Sequence, residues 1–79
     1  MTTTVKELIS HRVERLHQAR MLLGIPRADI AGPLKVSERS IGHWENDARN
    51  PSAARVDEWA EVLREVAAAR IAEARGLLR

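Results

Sequence analysis

Apolar residues return every third or fourth position along almost the whole chain, and the pattern breaks at only three places, each marked by residues that stop or start helices. Val5, Ile9, Val13, Leu16 and Leu23 are spaced by three, four or seven, which lays them on one face of a 3.6-residue turn. Thr3 or Thr4 stands where an N-cap belongs, so a first helix is predicted to run to about Leu23 and to end at Gly24. Pro26, whose missing N–H costs nothing in a first turn, opens a second helix to about Leu34, with Ile30, Ala31 and Leu34 inside. Ser37 caps a third, carrying Ile41 and Trp44 inward. Asn50, Pro51 and Ser52 form the last break, and Ser52 caps a fourth helix with Val56, Trp59, Ala60, Leu63 and Val66 on one stripe. No further breaker occurs before Gly76, which predicts either one helix from about Ala53 to Arg75 or a bend near residues 67–69.

Nothing competes with an all-α reading. Phe and Tyr are absent, β-branched residues are scattered, and no hairpin turn joins alternating segments. With 79 residues the chain can support one hydrophobic core, so a single domain over 1–79 is expected. Cysteine is absent, which leaves no disulfide framework or thiolate metal site. The opening MTTTVKELISHR lacks the apolar stretch of a signal peptide, and no run reaches the roughly 20 apolar residues of a membrane span. A cytoplasmic protein without membrane association is therefore expected.

The formal charge of +2 is too small to announce a nucleic-acid partner. Its distribution is more informative, because residues 1–36 carry six basic against three acidic side chains and residues 37–79 seven against eight. The N-terminal half is the better phosphate-facing candidate. No catalytic triad, Gly-rich phosphate loop or paired-carboxylate arrangement is present, and His11 and His17 stand six apart with no HExxH pattern, so no enzyme, cofactor or metal is expected.

Ala31 gives the second and third helices their relation. Where two short helices cross steeply, the closest point tolerates only a small side chain, and Ala31 falls there with Ile41 opposite. With Ile41 and Trp44 turned inward, the outer face of the third helix shows Glu38, Arg39, Gly42 and His43 as one contiguous stripe. Polar side chains on the first two turns and little bulk beyond them suit a helix entering the major groove end-on. Trp44 and Trp59 lie on apolar stripes and read as core rather than as base-stacking platforms.

The segments RMLLGIPRADIA, VSERSIGHWEND and NPSAARVDEWAEVL resemble, in order and spacing, the phage repressor and Cro family of helix-turn-helix proteins, the xenobiotic-response-element class, across roughly residues 13–64. The resemblance implies a four- to five-helix, lambda-repressor-like domain with the motif at about 26–46. It implies base contacts from Glu38, Arg39 and His43, which Gly42, on the same face, joins as a fourth candidate base contact, and a phosphate contact from Arg27. It also implies a structural pair of Arg20 with Glu45. Ser37, Ser40 and Asn46 join Arg49 and Asn50 as further candidate phosphate contacts.

Three positions depart from the family pattern. Arg27 replaces a Gln that contacts phosphate and braces a recognition-helix side chain, so Arg27 is expected to keep the phosphate contact only. Lys35 replaces the turn Gly and either bears about 1 kcal/mol for a left-handed backbone or belongs to a turn built differently. Gly32 and Pro33 lie inside the second helix, where Pro33 is expected to kink or shorten it.

Each candidate has an ordinary alternative. Arg39 is either bidentate to guanine or a solvated side chain, Glu38 accepts from cytosine or simply complements the helix dipole, and His43 touches DNA or is idle. The extension at about 64–79 has an Ala-rich apolar side that either makes a dimer arm or packs back on the first helix. The leading expectation is a double-stranded-DNA-binding regulator, a homodimer acting by operator occlusion. The alternatives are an antitoxin whose C-terminal helix binds a toxin, and a recombination accessory protein that bends DNA.

Overall fold

The computed structural model describes residues 4–79. Within them the chain forms four helices and no strand: α1 (Val5–Leu23), α2 (Arg27–Leu34), α3 (Glu38–Glu45) and α4 (Ala53–Leu77). Three helices start on a hydroxyl cap. Thr4 Oγ1 accepts from the Glu7 N–H, Ser37 Oγ from Ser40 and Ser52 Oγ from Arg55, each at 3.1 Å, and each satisfies a donor that the first turn leaves unpaired. Thr3, the other candidate cap of α1, lies outside the described residues. Pro26 precedes α2 as its cap residue, with extended backbone, rather than opening it, and Arg27 takes the first helical position.

Left-handed residues, Gly24 and Lys35, turn the chain from α1 into α2 and from α2 into α3. Gly24, at φ 65°, ends α1 while its N–H donates to Met21 O and the Ile25 N–H donates to Arg20 O. Lys35, at φ 60°, ends α2 in the same way, with its own N–H on Gly32 O and the Val36 N–H on Ala31 O. This pair of bonds satisfies carbonyls that the last turn would otherwise leave open. The motif also explains why Pro33 does not shorten α2, which reaches Leu34. Pro33 removes a single bond to Asp29 O, and the turn beyond it is closed by Lys35 and Val36.

The core gathers Val13 from α1, Ile30, Ala31 and Leu34 from α2, Ile41 from α3, and Val56, Trp59 and Leu63 from α4. Ile25, in the α1–α2 turn, is 1% exposed and belongs with them, although it lies off every helical stripe. Trp44 is half-buried and meets the fully buried Trp59 with ring centroids 5.6 Å apart, tilted by 42°. This arrangement suits the aromatic quadrupoles. Val5, by contrast, is exposed, because α1 begins beyond the edge of the core.

Helix α4 runs uninterrupted across residues 67–69 and passes through Gly76 to Leu77. Gly76 has no left-handed backbone to signal a stop. At 1.5 Å per residue the helix is about 37 Å long, and its final turns, from Ala68 on, are exposed. They stretch the molecule to 51 × 28 × 19 Å. Its first turns are tied down by Arg55, which donates to Leu34 O at 3.3 Å, and by Asp57, 2.7 Å from Arg12 of α1.

Lys35 bears a left-handed backbone for which glycine carries no Cβ penalty. Lys35→Gly is expected to raise the unfolding free energy by about 0.5–1 kcal/mol, read as a higher urea midpoint at unchanged slope. A lower midpoint would mean that the Lys35 side chain contributes more than its backbone costs.

Candidate nucleic-acid interface

α3 is placed by what lies behind it. Ile41 is fully buried, and Glu45, the last residue of the helix, turns its carboxylate into the body with the side chain 0% exposed. A carboxylate at a helix C-terminus opposes the backbone dipole, so this position requires cations close by. The structure brings Arg20 and Glu45 together. Arg20 Nε donates to Glu45 Oε2 at 2.7 Å and Nη2 to Oε1 at 3.0 Å, a bidentate geometry. Arg20 Nη1 donates to Ile25 O at 2.9 Å, so the same guanidinium fastens the α1–α2 turn to α3.

Arg27 completes the cluster and corrects one expectation. Its Nε donates to Glu45 Oε1 at 2.8 Å, so Arg27 does brace a side chain of α3, despite replacing the family's Gln. His17 Nδ1 approaches Glu45 Oε2 at 3.1 Å without the alignment of a hydrogen bond. Burial alone would push the Glu45 carboxyl up, but the hydrogen bonds from Arg20 and then Arg27 outweigh it and hold the group below its ordinary value.

The brace has a second effect. A Cβ placed on Gly42 would lie 3.4 Å from Arg27 Nη1, and Gly42 is buried. Sequence spacing puts Gly42 on the open stripe, yet Arg27, drawn across α3 by Glu45, covers it. The outer face of α3 therefore shows Glu38 and Arg39, both exposed, the half-buried His43, and the Arg27 guanidinium between them. The side chain of Arg27 is 38% exposed. Neither Glu38, Arg39 nor His43 makes a side-chain hydrogen bond or ion pair among the described residues.

Ser37 is exposed and Ser40 half-buried, with their hydroxyls 3.0 Å apart at the N-terminus of α3. Asn46, Arg49 and Asn50 are exposed in the α3–α4 turn, which bends at Asp47 with φ 60°. The backbone N–H of Arg49 donates to His43 O at 3.3 Å. Tight closure of the turn takes up the amide and leaves only the side chain available.

Sequence reasoning missed the Arg27 brace and His17. A signal for His17 existed, since it lies three residues before Arg20 on α1 and so shares its face. For Arg27 the signal is the resemblance itself, since the Gln it replaces braces a recognition-helix side chain; what residue type alone does not give is how closely α2 approaches the end of α3.

Removing Glu45 would strand the buried Arg20 guanidinium. Glu45→Ala is expected to cost about 3–5 kcal/mol of stability by chemical denaturation. Because its carboxyl is depressed in the folded state, Glu45 contributes stability that is present above the unfolded value and lost as pH falls through the folded one. Glu45→Gln should flatten that acid limb, and an unchanged limb would assign acid sensitivity to other carboxylates.

A family model described as helix-turn-helix matches residues 16–71. No curated protein and no solved structure matches the chain significantly. The matched span runs from the middle of α1, through the Glu45 cluster, into the second half of α4, and the chain belongs to the helix-turn-helix family of DNA-binding domains.

Proposed function

We propose that the protein is a sequence-specific transcriptional regulator of the phage repressor and Cro type, which occupies a short operator as a homodimer and represses by occlusion. The observation that carries this reading is the outer face of α3, where charged and polar side chains stand unengaged on a helix whose inner side is fixed by Ile41 and Glu45. Donors and acceptors held on a rigid helix are what base readout in the major groove requires.

In this reading Arg39 is bidentate to guanine O6 and N7, Glu38 accepts from a cytosine N4 amine, and His43 donates to a base or phosphate. The place of Gly42 in the contact surface passes to Arg27, whose Nη1 lies over it. Ser37 and Ser40 at the start of α3, with Asn46, Arg49 and Asn50 beyond its end, meet the phosphates that flank the groove. Dimer symmetry would set two half-sites about one helical turn apart.

Selection from a random duplex library at about 150 mM salt, where non-specific phosphate attraction is suppressed, should enrich a two-fold symmetric site with half-sites about 10 base pairs apart. Arg39→Ala should cost about 1–3 kcal/mol on that site and relax one position, whereas Arg49→Ala should weaken all sequences alike and lower the salt slope by about one. Equal losses for Arg39→Ala on selected and random DNA would overturn its readout role, and no enrichment by the wild type would overturn operator binding itself.

A further inference from the structure

The second half of α4 continues the helix's core-facing stripe past the point where the chain's own core covers it. Leu63 is buried and Val66 partly buried, but the residues beyond emerge into an open groove. One wall of that groove is the α4 face from Val66 to Leu77, and the other is Leu23 at the end of α1 with Asp29 of α2. Leu23 is 43% exposed and Leu77 82%, so two leucines from different helices stand on an uncovered surface.

The order of residues along this face is self-complementary. Arg70 and Glu73, Ala69 and Ala74, and Val66 and Leu77 are each equidistant from the midpoint between Ile71 and Ala72, and all six line the groove. If a second copy of the helix lies antiparallel on the first, with a two-fold axis at that midpoint, every pair meets its complement. Val66 faces the partner's Leu77, Ala69 faces the partner's Ala74, and Arg70 faces the partner's Glu73. The alanines let the helix axes approach closely. Arg70 binds Asp29 through Nη2 at 2.7 Å, and its remaining guanidinium donors are open to another carboxylate. Glu73 has no ion pair among the described residues.

We infer that the protein dimerises through an antiparallel, two-fold pairing of α4 over residues 66–77, seated in the groove beside Leu23 and specified by reciprocal Arg70–Glu73 contacts. A two-fold contact of this kind uses one patch twice and closes on itself. The pairing spans about 18 Å of helix, little more than three turns from each copy, so the contact is small and the free dimer is weak, forming at micromolar concentrations or above. This inference names the surface for the homodimer of the preceding section, but it is tested without DNA and does not rest on operator binding.

Sedimentation of the full chain at up to about 200 µM should show a reversible monomer–dimer equilibrium. Glu73→Arg places two arginines against each other at both symmetric contacts, and Arg70→Glu does the same with glutamates. Each should raise the dimer Kd at least about tenfold, and Leu77→Asp, at an exposed position, should do so as well. An equimolar mixture of Glu73→Arg with Arg70→Glu restores Arg–Glu at both contacts, and should associate as a heterodimer with near wild-type affinity. A monomeric wild type, variants that dimerise like the wild type, or a mixture that fails to associate would each overturn the interface. A monomer that still selects DNA would leave the operator reading standing.

Discussion

One buried carboxylate joins three of the four helices. Glu45 belongs to α3, its bidentate partner Arg20 to the last turn of α1, and Arg27 to the first turn of α2. Each charge explains another. The Glu45 carboxylate sits at the wrong end of its helix dipole and Arg27 at the wrong end of its own, and their contact relieves both. Arg20 is well placed in its last turn, and it also reaches the Ile25 carbonyl in the turn between α1 and α2. A buried ion pair contributes little net stability against a well-packed apolar substitute, whereas removing one partner is costly. Its effect here is geometric, since a guanidinium and a carboxylate in bidentate contact tolerate little sliding. The end of α3 is consequently registered against α1 and α2 within hydrogen-bond tolerance.

The apolar core alone would not give that register. Ile30, Ala31, Leu34 and Ile41 bury surface between α2 and α3, but hydrophobic burial is non-directional, and two eight-residue helices are too short to be stable alone. The chain supplies direction at the turns. Two left-handed closures, at Gly24 and Lys35, reverse it while satisfying terminal carbonyls, and Arg55 reaches from α4 to the Leu34 carbonyl where α2 ends. The outer face of α3 is thus held from behind by polar contacts of defined geometry and from below by apolar packing.

The fold was legible in the sequence because its signals are local. Thr4, Ser37 and Ser52 are caps by residue type and position, Gly24 is a stop, and the stripes of α1, α3 and α4 follow from spacing. Where reading failed, a local signal was overruled by a contact distant in sequence or by none at all. Pro33 predicts a kinked or shortened helix, but α2 reaches Leu34, and Lys35 and Val36 close the turn beyond it. Gly76 predicts an end at about Arg75, but an exposed helix with no packing to end it runs on to Leu77. Ile25 lies off every helical period, so its burial depends on the turn that Arg20 fastens. For the candidate site, the inward Ile41 and the exposed Glu38 and Arg39 follow from helical spacing, while the fate of Gly42 does not.

Gly42 shows how a site departs from its helical wheel. A side chain there would share the outer face of α3 with Glu38 and Arg39; without one, the space is filled from α2. The guanidinium of Arg27 spans from Glu45, at the buried end of α3, to the middle of its outer face. A long side chain is costly to order when it is free, but Arg27 is tied at Nε before any ligand arrives, so less rotamer entropy remains to be lost. The surface offered by α3 is therefore a composite of two helices, and its cationic centre is oriented by the same carboxylate that fixes the fold. Any change to Glu45 acts on both together, which makes the stability of the domain and the geometry of its outer face inseparable at that residue.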